Sequence, residues 1–186
     1  MGESSVLTLA QFLKRLKEFG PDRFRREPIL RFLRSHRLKP GDLRPFLRHP
    51  QDGYTRNLIY RDDLFLFMAC CWASGGGSPI HDHHDQLCWM MLHQGRLTVT
   101  NYRYDLGPPP RLEALSEVPL DGERTVALAD REQVLHRVMN PGDSGELAVS
   151  LHIYSRPFDS CLIYDPQTLK VQETVMTFDS IYGQSV

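Results

Sequence analysis

The sequence predicts a mainly β fold, a sandwich or a barrel, that follows a short helical segment. Two observations favour this fold class. Over residues 8–50 apolar side chains recur at helical spacing, whereas from residue 54 onward short apolar or alternating runs are separated by turn residues. These runs follow one another closely with no helical pattern between them, as in all-β domains. A chain of 186 residues is long enough for one sizeable core, so we expect residues 1–186 to form a single domain.

The helical segment, about residues 8–50, carries start and stop signals. Thr8-Leu9-Ala10-Gln11 matches a capping box, in which two side chains bond to backbone N–H groups at the helix start. Gly20-Pro21 is expected to end this first helix. A second helical stripe ends near Pro40-Gly41, and a short third turn follows. These two segments hold the apolar residues Phe24, Ile29, Leu30, Leu33, Leu38, Leu43, Phe46 and Leu47.

The β region, about residues 54–178, contains nine candidate strands. Arg61-Asp62-Asp63 is typical of a hairpin turn, and Gly75–Pro79 and Leu106–Pro110 are expected to be loops. The candidate strands are Tyr54–Tyr60, Leu64–Trp72, Gln86–Leu92, Arg96–Tyr104, Thr125–Leu128, Gln133–Val138, Ala148–Tyr154, Cys161–Asp165 and Lys170–Thr177.

The net charge of −1 conceals an uneven distribution along the chain. Residues 1–50 hold 12 of the 22 Lys and Arg but only 5 of the 23 Asp and Glu, so this part is basic. Because the arginines interleave with Phe and Leu at helical spacing, solvated helix faces are favoured over a nucleic-acid interface.

No apolar run in the sequence approaches the roughly 18 residues of a membrane span. Cys70 and Cys71 are adjacent and no Cys-x-x-Cys occurs, so we expect reduced thiols in a cytoplasmic protein. We also expect the protein to be a monomer.

Three histidines are candidate metal ligands. His81 and His83 point to the same face if their segment is a strand, and His136 lies far downstream. Imidazole suits Fe(II), Zn or Cu. Three neutral ligands with no obvious fourth would leave coordination positions open, which favours a site for chemistry over a structural site.

The spacing around these histidines matches the cupin motifs. Gly75, five residues, His81-x-His83, four residues, Cys88, six residues and Gly95 reproduce the first motif, with Cys88 where an acidic ligand usually stands. His136-x3-Asn140 matches the end of the second motif, although the usual preceding Pro-x-Gly is missing. We therefore expect a cupin-type β-barrel, or double-stranded β-helix. A metal without the carboxylate keeps a net +2 charge, which suits a soft anionic ligand such as a thiolate.

Two further runs carry polar side chains where strands are expected. Strict alternation places Ser150, His152 and Tyr154 on one strand face, either as a satisfied core network or as a relay that orients Tyr154 toward the metal site. Arg56 could receive a carboxylate through its planar guanidinium. It could equally form a salt bridge at the rim with Asp62 or Asp63.

Taken together, the motifs resemble the cysteine dioxygenase family of cupin-fold, non-haem iron enzymes. The resemblance runs from about Tyr54 to Phe178. It is carried by Tyr54-Thr55-Arg56-Asn57, Cys71-Trp72, Ile80-His81-Asp82-His83, Cys88, Gly95, His136-Arg137-Val138, Ala148-Val149-Ser150-Leu151-His152, Tyr154-Ser155, Pro157-Phe158-Asp159, Cys161 and Met176-Thr177-Phe178.

The resemblance implies a role for each site residue. His81, His83 and His136 would bind Fe(II), and cysteine would chelate it, leaving one position for O2. Arg56, with Tyr54 nearby, would hold the substrate carboxylate. Tyr154, oriented by Ser150 and His152, would hydrogen-bond in the active site. The product would be cysteine sulfinate.

The resemblance also implies that Cys88 and Tyr154 could join in a thioether cofactor, as in animal members of the family. One departure is Ser155-Arg156-Pro157, where the family usually has Ser-Pro-Pro with a cis bond before the first proline. The Ser155–Arg156 bond is therefore either trans, with a reshaped pocket, or a costly cis bond.

Two alternatives to a cysteine dioxygenase remain. One is a dioxygenase for 3-mercaptopropionate or another small thiol. Relatives of that kind tend to have glutamine at the Arg56 position and to lack the Cys88 cysteine. The other alternative is a non-catalytic cupin that senses a metal or ligand, which would not need Ser150, His152 and Tyr154.

Overall fold

The computed structural model describes residues 5–122, 125–129, 135–142 and 145–186, and these form a mainly β structure. The helices are α1 (Leu9–Lys17), α2 (Gly20–Arg23), α3 (Arg26–Ser35) and a 3₁₀ helix (Pro40–Phe46). The strands are, in chain order, β1 (Ser5–Leu7), β2 (His36–Leu38), β3 (Tyr54–Arg61), β4 (Leu66–Trp72), β5 (Ile80–His81), β6 (Cys88–Gln94), β7 (Leu97–Asp105), β8 (Arg111–Leu120), β9 (Val126–Ala129), β10 (Leu135–Met139), β11 (Ala148–Tyr154), β12 (Ser160–Tyr164), β13 (Val171–Val175), β14 (Ser180–Ile181) and β15 (Gln184–Ser185).

Two large sheets build the β region. One has the strand order β13-β12-β5-β10-β7-β8, and the other has β15-β14-β3-β4-β11-β6-β9. Apolar residues from both sheets share one buried cluster, so the sheets face each other as in a double-stranded β-helix. Over the described residues the hydrogen-bonded ladders do not close into a continuous barrel. The predicted cupin-type fold class is confirmed in this two-sheet form.

The seven-stranded sheet is covered on both faces. On β4, Phe67 and Ala69 pack in the cluster formed with the helices, whereas Met68 and Cys70 pack in the cluster between the sheets. Every residue of β4 and β11 is buried as a result. The double burial explains why β4 is an uninterrupted apolar run in the sequence rather than an alternating one.

The helical segment confirms its predicted start but not its predicted end. Thr8 caps α1 through the expected box with Gln11. The expectation that Gly20-Pro21 terminates this helix is wrong, because α1 ends at Lys17 and Gly20-Pro21 begins α2. Proline is favoured at the first turn of a helix, where its missing N–H is not needed. Leu38, expected on the second helix, lies in β2, which pairs in parallel with β1.

Two other findings differ from the sequence-based expectations. The sequence analysis did not predict β8, which is mostly exposed although it forms a long antiparallel pair with β7. The start of the candidate strand Gln133–Val138 lies outside the described residues, and the strand is seen from Leu135. None of the described helices is long and apolar enough to cross a bilayer.

The backbone at Gly95, the last residue of the first cupin motif, requires glycine. Its φ is +75°, in the left-handed region that disfavours a side chain. A Cβ there would also lie 2.6 Å from the Leu147 carbonyl oxygen and 2.9 Å from the Ala148 Cβ. Gly95 therefore allows the turn between β6 and β7 to approach the start of β11.

Candidate metal centre

Three histidines meet between the two sheets. His81, at the end of β5, lies directly opposite His136 of β10 in the antiparallel register. The sequence analysis expected His81 and His83 to share one face of a strand. Strand β5 ends at His81, so His83 reaches the site in another way. His83 lies in the following turn, where its carbonyl accepts from the Gln86 N–H and where His84 has a φ of +47°. The turn brings the His83 ring within 5.2 Å of His81 and 4.7 Å of His136, measured between ring centroids.

The nitrogen atoms of this cluster fit a metal ion. One ring nitrogen from each of His81, His83 and His136 lies within 4.8 Å of the other two, which is close enough for one cation to bind all three. Nδ1 of His81 lies 3.0 Å from the Pro79 carbonyl oxygen. Because a carbonyl only accepts, that nitrogen carries the proton and leaves Nε2 free to donate its lone pair. Nε2 of His83 and Nδ1 of His136 are buried without a hydrogen-bond partner among the described residues.

Burial keeps these imidazoles neutral. It lowers the pKa of His81, and it lowers the pKa values of His83 and His136 well below the usual range, with repulsion from the neighbouring histidines adding to the effect. A neutral imidazole is the form that binds a metal, since the protonated ring has no free lone pair. The cluster is therefore ready to bind a divalent transition metal at neutral pH.

The histidines line a cavity of about 180 Å³ between the sheets. Arg56 and Tyr54 of β3 line the same cavity, together with Tyr154 and Cys161. Tyr54 stacks on Trp72 at 4.7 Å between ring centroids, and burial raises its pKa to about 12. Seven of the nine predicted site residues thus line this one cavity, and Cys88 and Ser150 do not.

Arg56 points its guanidinium toward this cavity. Its Nη1 donates to the Thr177 carbonyl oxygen at 3.0 Å, and its Cζ lies 5.1 Å from the centre of the Phe178 ring. The alternative of a rim salt bridge with Asp62 or Asp63 is wrong, since among the described residues no carboxylate pairs with the guanidinium. Asp62 instead caps the hairpin turn, where it accepts the N–H groups that follow it. The Arg56 charge is therefore available to an anion inside the cavity.

Ser150 and His152 form a directed hydrogen-bond chain. The Trp72 Nε1–H donates to Ser150 Oγ at 2.9 Å, and Ser150 Oγ lies 2.8 Å from His152 Nε2. Burial lowers the pKa of His152 to about 3, so the ring is neutral. The Ser150 hydroxyl is fully buried, so its own proton needs an acceptor, and Trp72 is a donor. We therefore infer that the hydroxyl donates to Nε2 and that the histidine proton is on Nδ1.

The chain ends at Tyr154. The His152 Nδ1 lies 3.5 Å from the Tyr154 hydroxyl, at the outer limit of a hydrogen bond. The alternation expected on this strand is confirmed, because Leu151 and Ile153 pack in the cluster formed with the helices. Burial raises the pKa of Tyr154 well above its usual value, so the phenol stays protonated.

Cys88 lies behind this chain and is not part of the metal cluster. It is opposite Tyr154 in the register of β6 and β11, and its Sγ lies 3.9 Å from the His152 Nδ1. Burial raises the pKa of the thiol, so it is neutral. Cys88 does not replace the acidic ligand of the cupin motif. It lies beside the tyrosine instead. The four cysteines are all unpaired and buried, as expected for reduced thiols.

Arg156, which stands where the family usually has proline, does not displace the end of β11. Among the described residues the one cis peptide bond is Pro108–Pro109, so the Ser155–Arg156 bond is trans. Ser155 accepts the Leu87 N–H through its hydroxyl at 3.1 Å and donates its own N–H to the Leu87 carbonyl at 2.9 Å. These two bonds hold the strand end that carries Tyr154 against the segment that leads into Cys88.

Comparison with known proteins decides the family. The family described as "Cysteine dioxygenase type I" matches residues 3–167. The chain belongs to the cysteine dioxygenase type I family. The cysteine dioxygenase type 1 of Danio rerio is 35% identical over 184 residues, which cover 95% of this chain and 89% of that protein. The Homo sapiens cysteine dioxygenase type 1 is 33% identical over 188 residues, covering 98% and 93%.

Cysteine dioxygenases are non-haem iron enzymes, and the three-histidine cluster of this family member fits a metal of that kind. Among solved structures, an "rmlc-like cupin protein" from Desulfovibrio desulfuricans has a TM-score of 0.45 at 15% identity, covering 60% of this chain and 91% of that one.

The sequence analysis missed the part that Trp72 plays in the site, where its Nε1–H donates to Ser150. The signal was weak, because Trp72 ends an uninterrupted apolar strand and looks like an ordinary core residue.

Proposed function

We propose that the protein is a cysteine dioxygenase, which adds both atoms of O2 to the sulfur of L-cysteine. The thiol R–SH and O2 give the sulfinic acid R–SO2H, with no other oxidant and no atom left over. The observation that carries the proposal is that three neutral histidines and the Arg56 guanidinium line one buried cavity. This cavity offers a metal for the thiolate and a cation for the carboxylate of the same small molecule.

In this proposal His81, His83 and His136 hold Fe(II), which supplies the redox chemistry between thiol and O2. Arg56 binds the carboxylate, and the Tyr54 and Trp72 stack forms a rigid wall beside it. Tyr154 stays protonated and can donate a hydrogen bond into the cavity. Ser150 and His152 hold that phenol in place, so they are positioning residues.

Two alternatives keep the same site. A dioxygenase for 3-mercaptopropionate or another small thiol would use the same carboxylate receptor, so Arg56 alone does not exclude it. A sensor that only binds metal or ligand would not need the buried chain from Trp72 through Ser150 to His152. A fully satisfied buried chain of hydrogen bonds makes the groups that it joins rigid, which favours a role in orienting the Tyr154 phenol.

The decisive measurement compares oxygen consumption with L-cysteine and with 3-mercaptopropionate by the Fe(II)-loaded protein. We expect turnover with L-cysteine and one sulfinate formed per O2 consumed, measured by mass spectrometry. Turnover with 3-mercaptopropionate alone would move the assignment to that thiol. The absence of turnover with either thiol at full iron loading would favour the sensor.

The variant Arg56→Gln tests the carboxylate receptor. Losing one charged hydrogen-bond partner of the carboxylate should raise the KM for L-cysteine about 10- to 100-fold. Arg103→Gln is the matched control, because it removes an exposed ion pair with Glu113. An unchanged KM in Arg56→Gln would contradict this role.

We also propose that Cys88 and Tyr154 can form a thioether cofactor. Directly opposite residues of an antiparallel pair have Cβ atoms about 4.5–5.5 Å apart, which allows their side chains to touch. Forming the C–S bond breaks the thiol S–H bond and one ring C–H bond of the phenol, and the two hydrogens reduce O2 to H2O2. Intact-mass analysis after turnover should show the loss of two hydrogens in part of the protein and none in Cys88→Ser. An unshifted mass after prolonged turnover would refute the crosslink.

We further propose that the protein works as one domain and as a monomer in the cytoplasm, without nucleic acid or membrane. One chain supplies all three histidines and Arg56, so no partner is needed to complete the site. Helices and sheet share one buried cluster, which supports a single domain. Size-exclusion chromatography with light scattering tests the oligomeric state, and a dimer mass would contradict it.

A further inference from the structure

The Arg56 guanidinium lies against methionine sulfur. Nη2 is 3.2 Å from the Met176 Sδ and 3.9 Å from the Met68 Sδ. Nη1 is already bonded to the Thr177 carbonyl oxygen. A thioether is a weak acceptor that carries no charge. It can therefore receive an Arg56 N–H without neutralising the cation, whereas a carboxylate at the same place would cancel it.

The segment that carries Met176 is fixed to the strand that carries Arg56. Asp179 Oδ2 accepts the Arg56 backbone N–H at 2.8 Å, and the Asp179 N–H donates to the Arg56 carbonyl oxygen at 2.8 Å. Ser180 then pairs with Asn57 in parallel register, and its hydroxyl donates to the Asn57 Oδ1 at 2.8 Å. On the other side, the Met176 N–H donates to the Asp159 carbonyl oxygen. The backbone on both sides of Met176 is thus held close to the strand that carries Arg56.

From this arrangement we propose that Met176 is a positioning residue that prepares Arg56 for the substrate carboxylate and so contributes to specificity for thiols that carry one. The inference rests on the proposed function, in which Arg56 is the carboxylate receptor. A free arginine side chain has many rotamers, and part of this rotamer entropy is lost when it binds an anion. The contacts with Met176 and Thr177 restrict the guanidinium before the substrate arrives. Its charge is preserved for the ligand.

The test is the variant Met176→Leu, which keeps the volume of the side chain and removes the sulfur acceptor. Binding of L-cysteine and of cysteamine, which lacks the carboxylate, is measured by anaerobic calorimetry on the Fe(II)-loaded protein. Losing one weak hydrogen bond should weaken L-cysteine binding about three- to tenfold and leave cysteamine binding within about twofold. Steady-state kinetics should show a higher KM for L-cysteine with kcat nearly unchanged, because the contact acts on binding.

Two more variants separate this role from a structural one. Met176→Gln restores an uncharged acceptor on a side chain of similar length, and it should recover most of the affinity for L-cysteine. Met91→Leu makes the same change at another half-buried methionine, which packs toward the helices, and it should behave like the wild type. Equal weakening of L-cysteine and cysteamine binding in Met176→Leu would overturn the inference, and so would unchanged L-cysteine binding.

Failure of the proposed function gives a different result. A wild-type protein that binds L-cysteine more tightly than cysteamine but oxidises neither would refute the dioxygenase assignment. The binding measurements on Met176→Leu would still test the positioning role of Met176. Arg56→Leu serves as the reference for complete loss of the carboxylate contact. If Arg56→Leu loses affinity for L-cysteine and Met176→Leu does not, the function stands and the positioning role of Met176 is refuted.

Discussion

Ser150 is the residue whose removal tests the hydrogen-bond chain most directly. Its hydroxyl is fully buried and joins the Trp72 Nε1–H to the His152 Nε2 at 2.9 and 2.8 Å. Ser150→Ala leaves a donor and an acceptor without a partner, in side chains that are 1% and 6% exposed. Each buried unpaired group costs about 1–3 kcal/mol, so the free energy of unfolding should fall by about 2–6 kcal/mol.

Urea unfolding of the metal-free protein measures this loss without a contribution from metal binding. Ser160→Ala is the control, because that hydroxyl bonds to the exposed Glu173 carboxylate and its removal should cost below about 1 kcal/mol. A value for Ser150→Ala equal to that of the control would refute the chain. In a double-mutant cycle, Trp72→Phe should couple with Ser150→Ala by about 1 kcal/mol, since each change removes one end of the same bond. Simple additivity of the two changes would contradict the bond.

Three further predictions follow from the site. His136→Ala should abolish stoichiometric Fe(II) binding, measured by metal analysis after desalting, while His49→Ala at an exposed position should retain it; full iron content in His136→Ala would disprove the three-histidine site. The metal-free protein should lose stability as the pH falls below 6.5, because the unfolded chain then binds protons that His152, with a folded-state pKa of about 3, does not. Between pH 7.5 and 5.5 this one residue accounts for about 1.4 kcal/mol, and the lowered pKa values of the three metal-cluster histidines add to the fall. His152→Gln should reduce that pH dependence by about the same 1.4 kcal/mol in urea titrations at the two pH values, and an identical pH dependence in both proteins would contradict the buried neutral histidine.

Local patterns in the sequence predicted several structural features correctly. The capping box at Thr8 and the alternation of Ser150, His152 and Tyr154 are confirmed, because both depend on residues a few positions apart. The meeting of His81, His83 and His136 was anticipated from motif spacing and is present in the structure. The route by which His83 reaches the cluster was not anticipated, since it depends on a turn that begins after His81.

Other features had a weak local signal or none. Strand β8 was missed because Leu115 and Ser116 interrupt the alternation of its apolar residues, and because most of the strand is exposed. Its pairing with β7 defines it as a strand. Arg56 was compatible with a rim salt bridge as long as only nearby acids were considered. Its guanidinium contacts residues 176–178, about 120 positions away, as well as Met68 on the neighbouring strand.

The sequence by itself therefore determined the fold class, the three candidate ligand histidines and the polar face of β11, because periodicities and short motifs depend on neighbouring residues. The tertiary structure alone decided that His136 lies opposite His81 and that Cys88 lies opposite Tyr154. It also decided that Trp72 donates to Ser150 and that Met176 lies against Arg56. These contacts depend on which strands pair and in which register, and a shift of one residue would turn each side chain to the other face of its sheet.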